Sequence, residues 1–240
     1  MFYPPAAGPR PPAPAGWRLE DVSFVAGDGV RLVGVLALPP VEHPALVIYF
    51  GGNAEEVTSF APLVAGTYGQ RAVLLVNYRG YGESGGKPGE AALVADGAAL
   101  FDWAARRADI DATRIAIHGR SLGSGVAVQV AAMRPARCVI LTSPFDSAVE
   151  VAKRMYPWLP VSHLMRHPFD SMARAQGMKM PALFLMGEAD TLIPKWHSER
   201  LAAAWGGPVE RVSLAGFGHN DLDLNPRYAE AVRAFLERHL

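Results

Sequence analysis

Ile115-Ala116-Ile117-His118-Gly119-Arg120-Ser121-Leu122-Gly123-Ser124-Gly125-Val126-Ala127-Val128-Gln129-Val130 fixes how the rest of the chain is read. An apolar run the length of a buried strand leads into Gly-Arg-Ser-Leu-Gly, and a stretch of small and apolar residues follows that suits a closely packed helix. A G-x-S-x-G pattern between strand and helix puts its serine on a turn too tight for neighbouring side chains, and Gly119 and Gly123 remove the clash. The hydroxyl then stands at the positive N-terminus of the helix, where developing negative charge is stabilised. Ser121 is therefore the expected nucleophile, against the plainer alternative of a helix N-cap. The pattern occurs a second time as Gly82-Glu83-Ser84-Gly85-Gly86, but Lys87-Pro88-Gly89 follows and cannot begin a helix at once. Ser84 is assigned to a loop and Ser124 to helix packing.

Outward from this segment, apolar runs and helical patterns alternate. Upstream, Glu20–Val25 and Val30–Leu38 flank Gly27-Asp28-Gly29, a hairpin signal. Ala45–Phe50 reads as a buried strand, 55–68 as a helix, Ala72–Asn77 as a strand, Tyr78–Gly89 as a glycine-rich loop and Glu90–Arg107 as a helix. The quoted segment supplies the strand Arg114–His118 and the helix Leu122–Met133. Downstream come the strand Cys138–Thr142, an irregular segment with two short helical patterns from Ser143 to Met180, the strand Ala182–Met186, the helix Lys195–Trp205, the strand Glu210–Leu214 and the helix Pro226–His239. This order predicts an α/β fold: a mostly parallel eight-stranded sheet with helices on both faces and its site beyond the carboxyl ends of the strands.

Serine at its free pKa is a poor nucleophile and needs a base, which in turn needs an orienting carboxylate. With a serine on such a turn, the chain order is Ser, Asp or Glu, then His. Of the seven histidines, only His197, His219 and His239 lie beyond the later strands. His219 follows a strand through Ala215-Gly216-Phe217-Gly218 and is the expected base. His197 falls within a predicted helix and is expected to face solvent; His239 is at the C-terminus; His118 is expected to pack beside the sheet. Asp190, in Gly187-Glu188-Ala189-Asp190-Thr191, is the expected acid, with Asp146 as the alternative. Glu188 is too close to its strand end, and Asp221 and Asp223 read as loop or helix-start residues. Oxyanion donors are expected from the backbone N–H groups of Leu122 and Asn53, with Gly52 as the alternative to Asn53.

Equal numbers of basic and acidic residues, 23 each, leave no footprint for nucleic acid or a polybasic membrane patch. A single cysteine, Cys138, excludes an internal disulfide and CxxC metal sites and reads as a core residue. No metal or cofactor is expected. No stretch reaches the roughly 20 apolar residues of a membrane span. Residues 1–16, rich in Pro, Ala and Gly, do not read as a signal peptide, so an N-terminal arm followed by a single domain over 17–240 is expected, in a cytoplasmic location.

Taken together, Tyr78-Arg79-Gly80-Tyr81-Gly82-Glu83-Ser84, Gly119-Arg120-Ser121-Leu122-Gly123, Ser143-Pro144-Phe145, Gly187-Glu188-Ala189-Asp190-Thr191-Leu192-Ile193-Pro194 and Gly218-His219-Asn220-Asp221 resemble the α/β-hydrolase superfamily. The similarity is greatest to serine aminopeptidase-like hydrolases and depalmitoylating thioesterases, from about Val22 to the C-terminus. It implies Ser121, Asp190 and His219 as a catalytic triad, in agreement with the reading of the residues. Relatives usually carry His-Gly-Asn where this chain has Gly51-Gly52-Asn53. The expected activity is hydrolysis of a small-molecule carboxylester or thioester through an acyl-enzyme. A serine aminopeptidase-like peptidase and a catalytically silent binding protein of the same fold are the alternatives.

Residues 144–180 are too long for an ordinary connection and are expected to form a small lid. Met155, Met165, Met172, Met178 and Met180, with Tyr156, Trp158, Leu159 and Leu164, would supply an adaptable acyl pocket; the alternative is a seal over the core edge. The two copies of the serine pattern are separable by experiment. Ser121→Ala should abolish fluorophosphonate labelling and cost on the order of a millionfold in kcat, whereas Ser84→Ala should leave labelling intact. Labelling that follows Ser84 would reverse the assignment.

Overall fold

The computed structural model describes all 240 residues. The opening hairpin pairs β1 (Arg18–Val25) with β2 (Arg31–Leu38) antiparallel. Fully buried β3 (Leu46–Phe50) follows. Where one helix over 55–68 is expected, the chain forms a 3-10 turn at Val57–Leu63 containing Pro62 and then a single α turn, α1 (Val64–Tyr68). Pro62 has no N–H to continue a helical ladder, and the Glu56 carboxylate caps the turn by accepting from Thr58 and Ser59 N–H.

The sheet continues with β4 (Ala72–Val76), α2 (Glu90–Ala105), β5 (Ile115–Arg120), α3 (Leu122–Ala131) and β6 (Cys138–Thr142). The segment before the next strand holds three short helices rather than two: α4 (Ala148–Met155), α5 (Val161–Leu164) and α6 (Met172–Ala175). The chain closes with β7 (Ala182–Gly187), α7 (Lys195–Ala204), β8 (Val209–Leu214) and α8 (Pro226–His239). Strand order is β1-β2-β4-β3-β5-β6-β7-β8, parallel from β4 to β8.

Side chains alternate across this sheet into two cores. On one face Ile48, Phe50, Ile117, Leu141 and Phe184 meet residues of α2, α3 and α7. On the other, Val47, Tyr49, Ala116, Ile140 and Leu185 meet α1 and α8. Helices on both faces bury β3, β4, β6 and β7 completely, as their apolar runs require, while the edge strand β8 stays largely half-buried.

The lid segment departs from expectation. Met178 is buried, but Trp158 is 74% exposed and Leu164 63% exposed, with Met155, Tyr156 and Leu159 also outward. These five side chains therefore do not form the expected apolar wall: Tyr156, Trp158 and Leu159 lie in the turn between α4 and α5, while Ala148, Val151, Met165, Ala175, Met178 and Met180 of the same segment pack on the core.

One register detail places the site. Phe50 pairs with Gly119, so the loop after β3 leaves the sheet beside the turn after β5. There α3 packs so closely on β3 that a Cβ on Gly123 would overlap the Phe50 carbonyl oxygen, and one on Gly119 would overlap that of Gly123. Gly123→Ala should therefore cost about 3 kcal/mol or more, in the range of severe backbone clashes. Urea unfolding measures this; an unchanged midpoint would mean that the helix can retreat.

Candidate active site

Ser121 ends the β5 turn with φ 51° and ψ −116°. Such a conformation costs a non-glycine residue about 1–3 kcal/mol and persists only where its surroundings hold it. They do so here: Ser121 N–H donates to Thr142 O at 2.9 Å, and Ser121 O accepts the N–H and Oγ of Ser124 at 2.9 and 2.6 Å. The packing role expected for Ser124 is thus a lock on the turn.

Three side chains from three loops meet at this point. His219 Nε2 lies 2.8 Å from Ser121 Oγ, and His219 Nδ1 lies 2.8 Å from Asp190 Oδ2. An ionised carboxylate only accepts, so Nδ1 carries the proton and Nε2 is left to accept from the serine hydroxyl. The second carboxylate oxygen of Asp190 accepts from Leu192 and Ile193 N–H at 3.0 and 2.8 Å. Burial alone would raise this carboxyl; the His219 hydrogen bond and charge, with the Ile193 N–H, outweigh it and hold the pKa below the usual carboxylate value. Asp190 thus stays ionised at neutral pH. The two loops are tied together by Ala189 N–H donating to Phe217 O at 2.9 Å, and Asp221 accepts from Gly218 N–H at 2.6 Å, the loop role expected of it.

Facing Ser121 is the loop Gly51–Ala54. Gly52 N–H is already engaged, donating to Glu55 Oε2 at 2.6 Å. Asn53 N–H makes no hydrogen bond, and Leu122 N–H, on the first residue of α3, has no acceptor within its helix. The free donors are thus those of Asn53 and Leu122, not that of Gly52. The Asn53 side chain is held by Tyr81 OH at 2.8 Å, Tyr3 N–H at 2.9 Å and its own donation to Met1 O at 2.8 Å. The N-terminal arm therefore lies against this loop, with the Phe2 ring 5.2 Å from His167. An imidazole at Gly51 would not fit this loop as it stands, because a Cβ there would be 2.5 Å from Val57 Cγ1; Tyr78 OH instead steadies the loop by donating to Gly51 O at 2.9 Å.

One contributor was missed from sequence. Arg120 donates to His219 O at 3.5 Å and pairs with Glu55 at 4.0 Å, so its guanidinium joins the histidine loop to the Gly52 loop. Burial works against its charge, but Tyr49 and Glu55 more than compensate and raise its pKa. The only sequence signal was its position inside the G-x-S-x-G pattern.

One expectation is corrected. His197 does not face solvent: it is fully buried, and its Nδ1 lies 2.8 Å from Asp146 Oδ1. Asp146 also pairs with Arg200 at 2.9 Å, so the alternative acid belongs to a separate cluster away from His219. His118 is buried beside the sheet as expected, 2.7 Å from Tyr68 OH; burial, aided by Arg120, pushes it down to about 3 and keeps it neutral. Ser84 Oγ donates to Asn77 O and accepts from Val33 N–H, both at 2.9 Å, a structural clamp. Cys138 is buried and its thiol is pushed up to about 12. No group of three or more His, Cys, Asp or Glu side chains is arranged to hold a metal ion, and no helix is long and apolar enough to cross a membrane.

An esterase of Pyrococcus furiosus has the same fold, with a TM-score of 0.75 over 99% of both chains at 22% identity. The molecule therefore has the α/β-hydrolase fold. A protein of Mycobacterium tuberculosis described as uncharacterized is 39% identical over 98% of this chain and 86% of its own. An α/β-hydrolase domain-containing protein of Arabidopsis thaliana is 28% identical over 81% of this chain and 69% of its own. The family profile described as serine aminopeptidase, S33, matches residues 41–169, and the chain belongs to that family of hydrolases.

Three substitutions test the site. Asp190→Asn should lower kcat on the order of ten-thousandfold, because an amide can neither fix the imidazole tautomer nor balance imidazolium charge. Asp146→Asn should be much milder, and a reversed ranking would move the acid to the earlier loop. Arg120→Met should lower kcat/KM by about 10–100-fold through misplacement of the two loops, with the fold retained by circular dichroism; unchanged kinetics would make Arg120 a bystander.

Proposed function

We propose that this hydrolase cleaves a carboxylester or thioester of a small molecule through an acyl-enzyme on Ser121. The observation that carries the proposal is the unbroken hydrogen-bond chain from Ser121 Oγ through His219 to Asp190, on a strained turn beside two unengaged N–H groups. His219 Nε2 takes the hydroxyl proton as Oγ bonds to the acyl carbon. The carbonyl π pair moves onto oxygen, where Leu122 and Asn53 N–H receive the negative charge. Imidazolium, stabilised by Asp190, then gives the proton to the departing alkoxide or thiolate. In the second half, water attacks the acyl-serine, with His219 again as base, and releases the carboxylic acid.

The esterase activity named for the Pyrococcus furiosus protein supports an ester substrate. The family's description favours a peptidase instead, which would need a carboxylate to hold a substrate amine. The acid closest to the oxyanion loop, Glu55, is occupied by Gly52 N–H, Tyr49 OH and Arg120. Ester or thioester cleavage is therefore the preferred reading. Purified protein should label with a fluorophosphonate and turn over p-nitrophenyl acetate and an acyl thioester with kcat/KM at least about a hundredfold above an aminoacyl anilide. A preference for the anilide would overturn this in favour of the peptidase, and absence of labelling in favour of a binding protein.

A further inference from the structure

The helix α4 and the turns after it carry the most exposed apolar side chains near the site. Trp158 and Leu164 project furthest, with Met155, Tyr156 and Leu159 beside them. Tyr156 and Trp158 brace each other edge to face at 6.0 Å. Five exposed apolar side chains within residues 155–164 mark an interaction surface. Its charge is one-sided, a local basic surface contrary to the expectation drawn from the balanced overall charge. Residues 151–169 contain no Asp or Glu, but hold Lys153, Arg154 and Arg166 together with His163 and His167. Carboxylates appear only at the edges. Glu150 pairs with Lys153 at 2.7 Å, both largely exposed, and Asp170 follows the segment. On the neighbouring α7, Lys195 is matched by Glu199 at 3.3 Å, and Arg200 lies over the Trp196 ring.

The patch sits at the active-site end of the sheet. Its segment leaves from the end of β6, and Arg154 donates to Thr191 O at 3.2 Å, one residue beyond Asp190. We propose that this face docks the enzyme on an anionic lipid bilayer, with the side chains of Trp158 and Leu164 entering the acyl boundary and Lys153, Arg154 and Arg166 meeting the headgroups. Exposed Trp, Tyr and Leu with flanking cations and no intervening carboxylate complement an apolar layer under negative charge. A second copy of the chain fits less well, since a two-fold contact would set the same cations against themselves.

The test needs no substrate, so it stands or falls separately from the proposed reaction. The full chain is co-sedimented with vesicles of phosphatidylcholine alone and of phosphatidylcholine with phosphatidylglycerol. Binding should require phosphatidylglycerol and weaken with salt. The triple variant Lys153→Gln, Arg154→Gln, Arg166→Gln should bind on the order of a hundredfold more weakly. The double variant Trp158→Ser, Leu164→Ser should also lose binding while keeping the wild-type unfolding midpoint. Equal binding to both vesicle types, wild-type binding by either variant, or self-association abolished by the double variant without vesicle binding would each overturn the proposal.

Discussion

The contact between Gly123 and the Phe50 carbonyl oxygen leaves no room for a methyl group. It brings the start of α3 against the end of β3, and with Gly119 it permits the backbone of Ser121 to turn back through a left-handed conformation. The N–H groups of Leu122, at the start of α3, and Asn53, on the loop after β3, are both left without an acceptor where these two elements meet. The strain is spread over a parallel sheet buried on both faces, where moving one strand end would disturb two cores. Rigid packing lets a conformation that costs energy by itself remain the only one populated.

Two histidine–aspartate pairs show how position assigns the chemistry. In both, Nδ1 lies 2.8 Å from a carboxylate oxygen. His219 has a serine hydroxyl at its other nitrogen, whereas the corresponding nitrogen of His197 is buried without a partner. Asp146 also faces the Arg200 guanidinium, while Asp190 has the Leu192 and Ile193 N–H groups and no cation beside its histidine. In the proposed reaction, charge formed on His219 is balanced by Asp190, whereas the His197 pair has no proton donor to act on. His118 is a third case: among Tyr68, Thr142 and Tyr228 it stays neutral and serves the packing of the sheet.

The Gly51–Ala54 loop has a parallel economy of parts. Glu55 engages Gly52 N–H and Tyr49 OH, Tyr78 holds Gly51 O, and Arg120 links Glu55 to the His219 loop. The arm adds Met1 and Tyr3 to the Asn53 side chain. These ties span up to 99 residues of sequence, from Arg120 to His219. They couple the two halves of the proposed site, so that a shift in one loop is felt by the other.

The sequence by itself determined all eight strands, their order along the chain and the alternation of strand and helix, because buried parallel strands must be short continuous apolar runs. It also separated Ser121 from Ser84, since only one serine has a strand directly before it and a helix directly after. His219 and Asp190 were legible as residues just past strand ends, where such sheets place their sites. Only the tertiary structure decided what depends on the partner of a side chain. His197 lies in α7 as its helical pattern predicted, but its burial is set by Asp146, 51 residues away. Arg120 looked like filler within a motif until the loops it joins were brought together. The methionine and aromatic side chains of 144–180 were readable as apolar, yet helices of four to eight residues are too short for periodicity to say which way they face, and Tyr156, Trp158 and Leu159 lie in the turn between two of them. Composition fixes how much apolar surface a segment carries; only packing fixes whether that surface meets the core or the solvent.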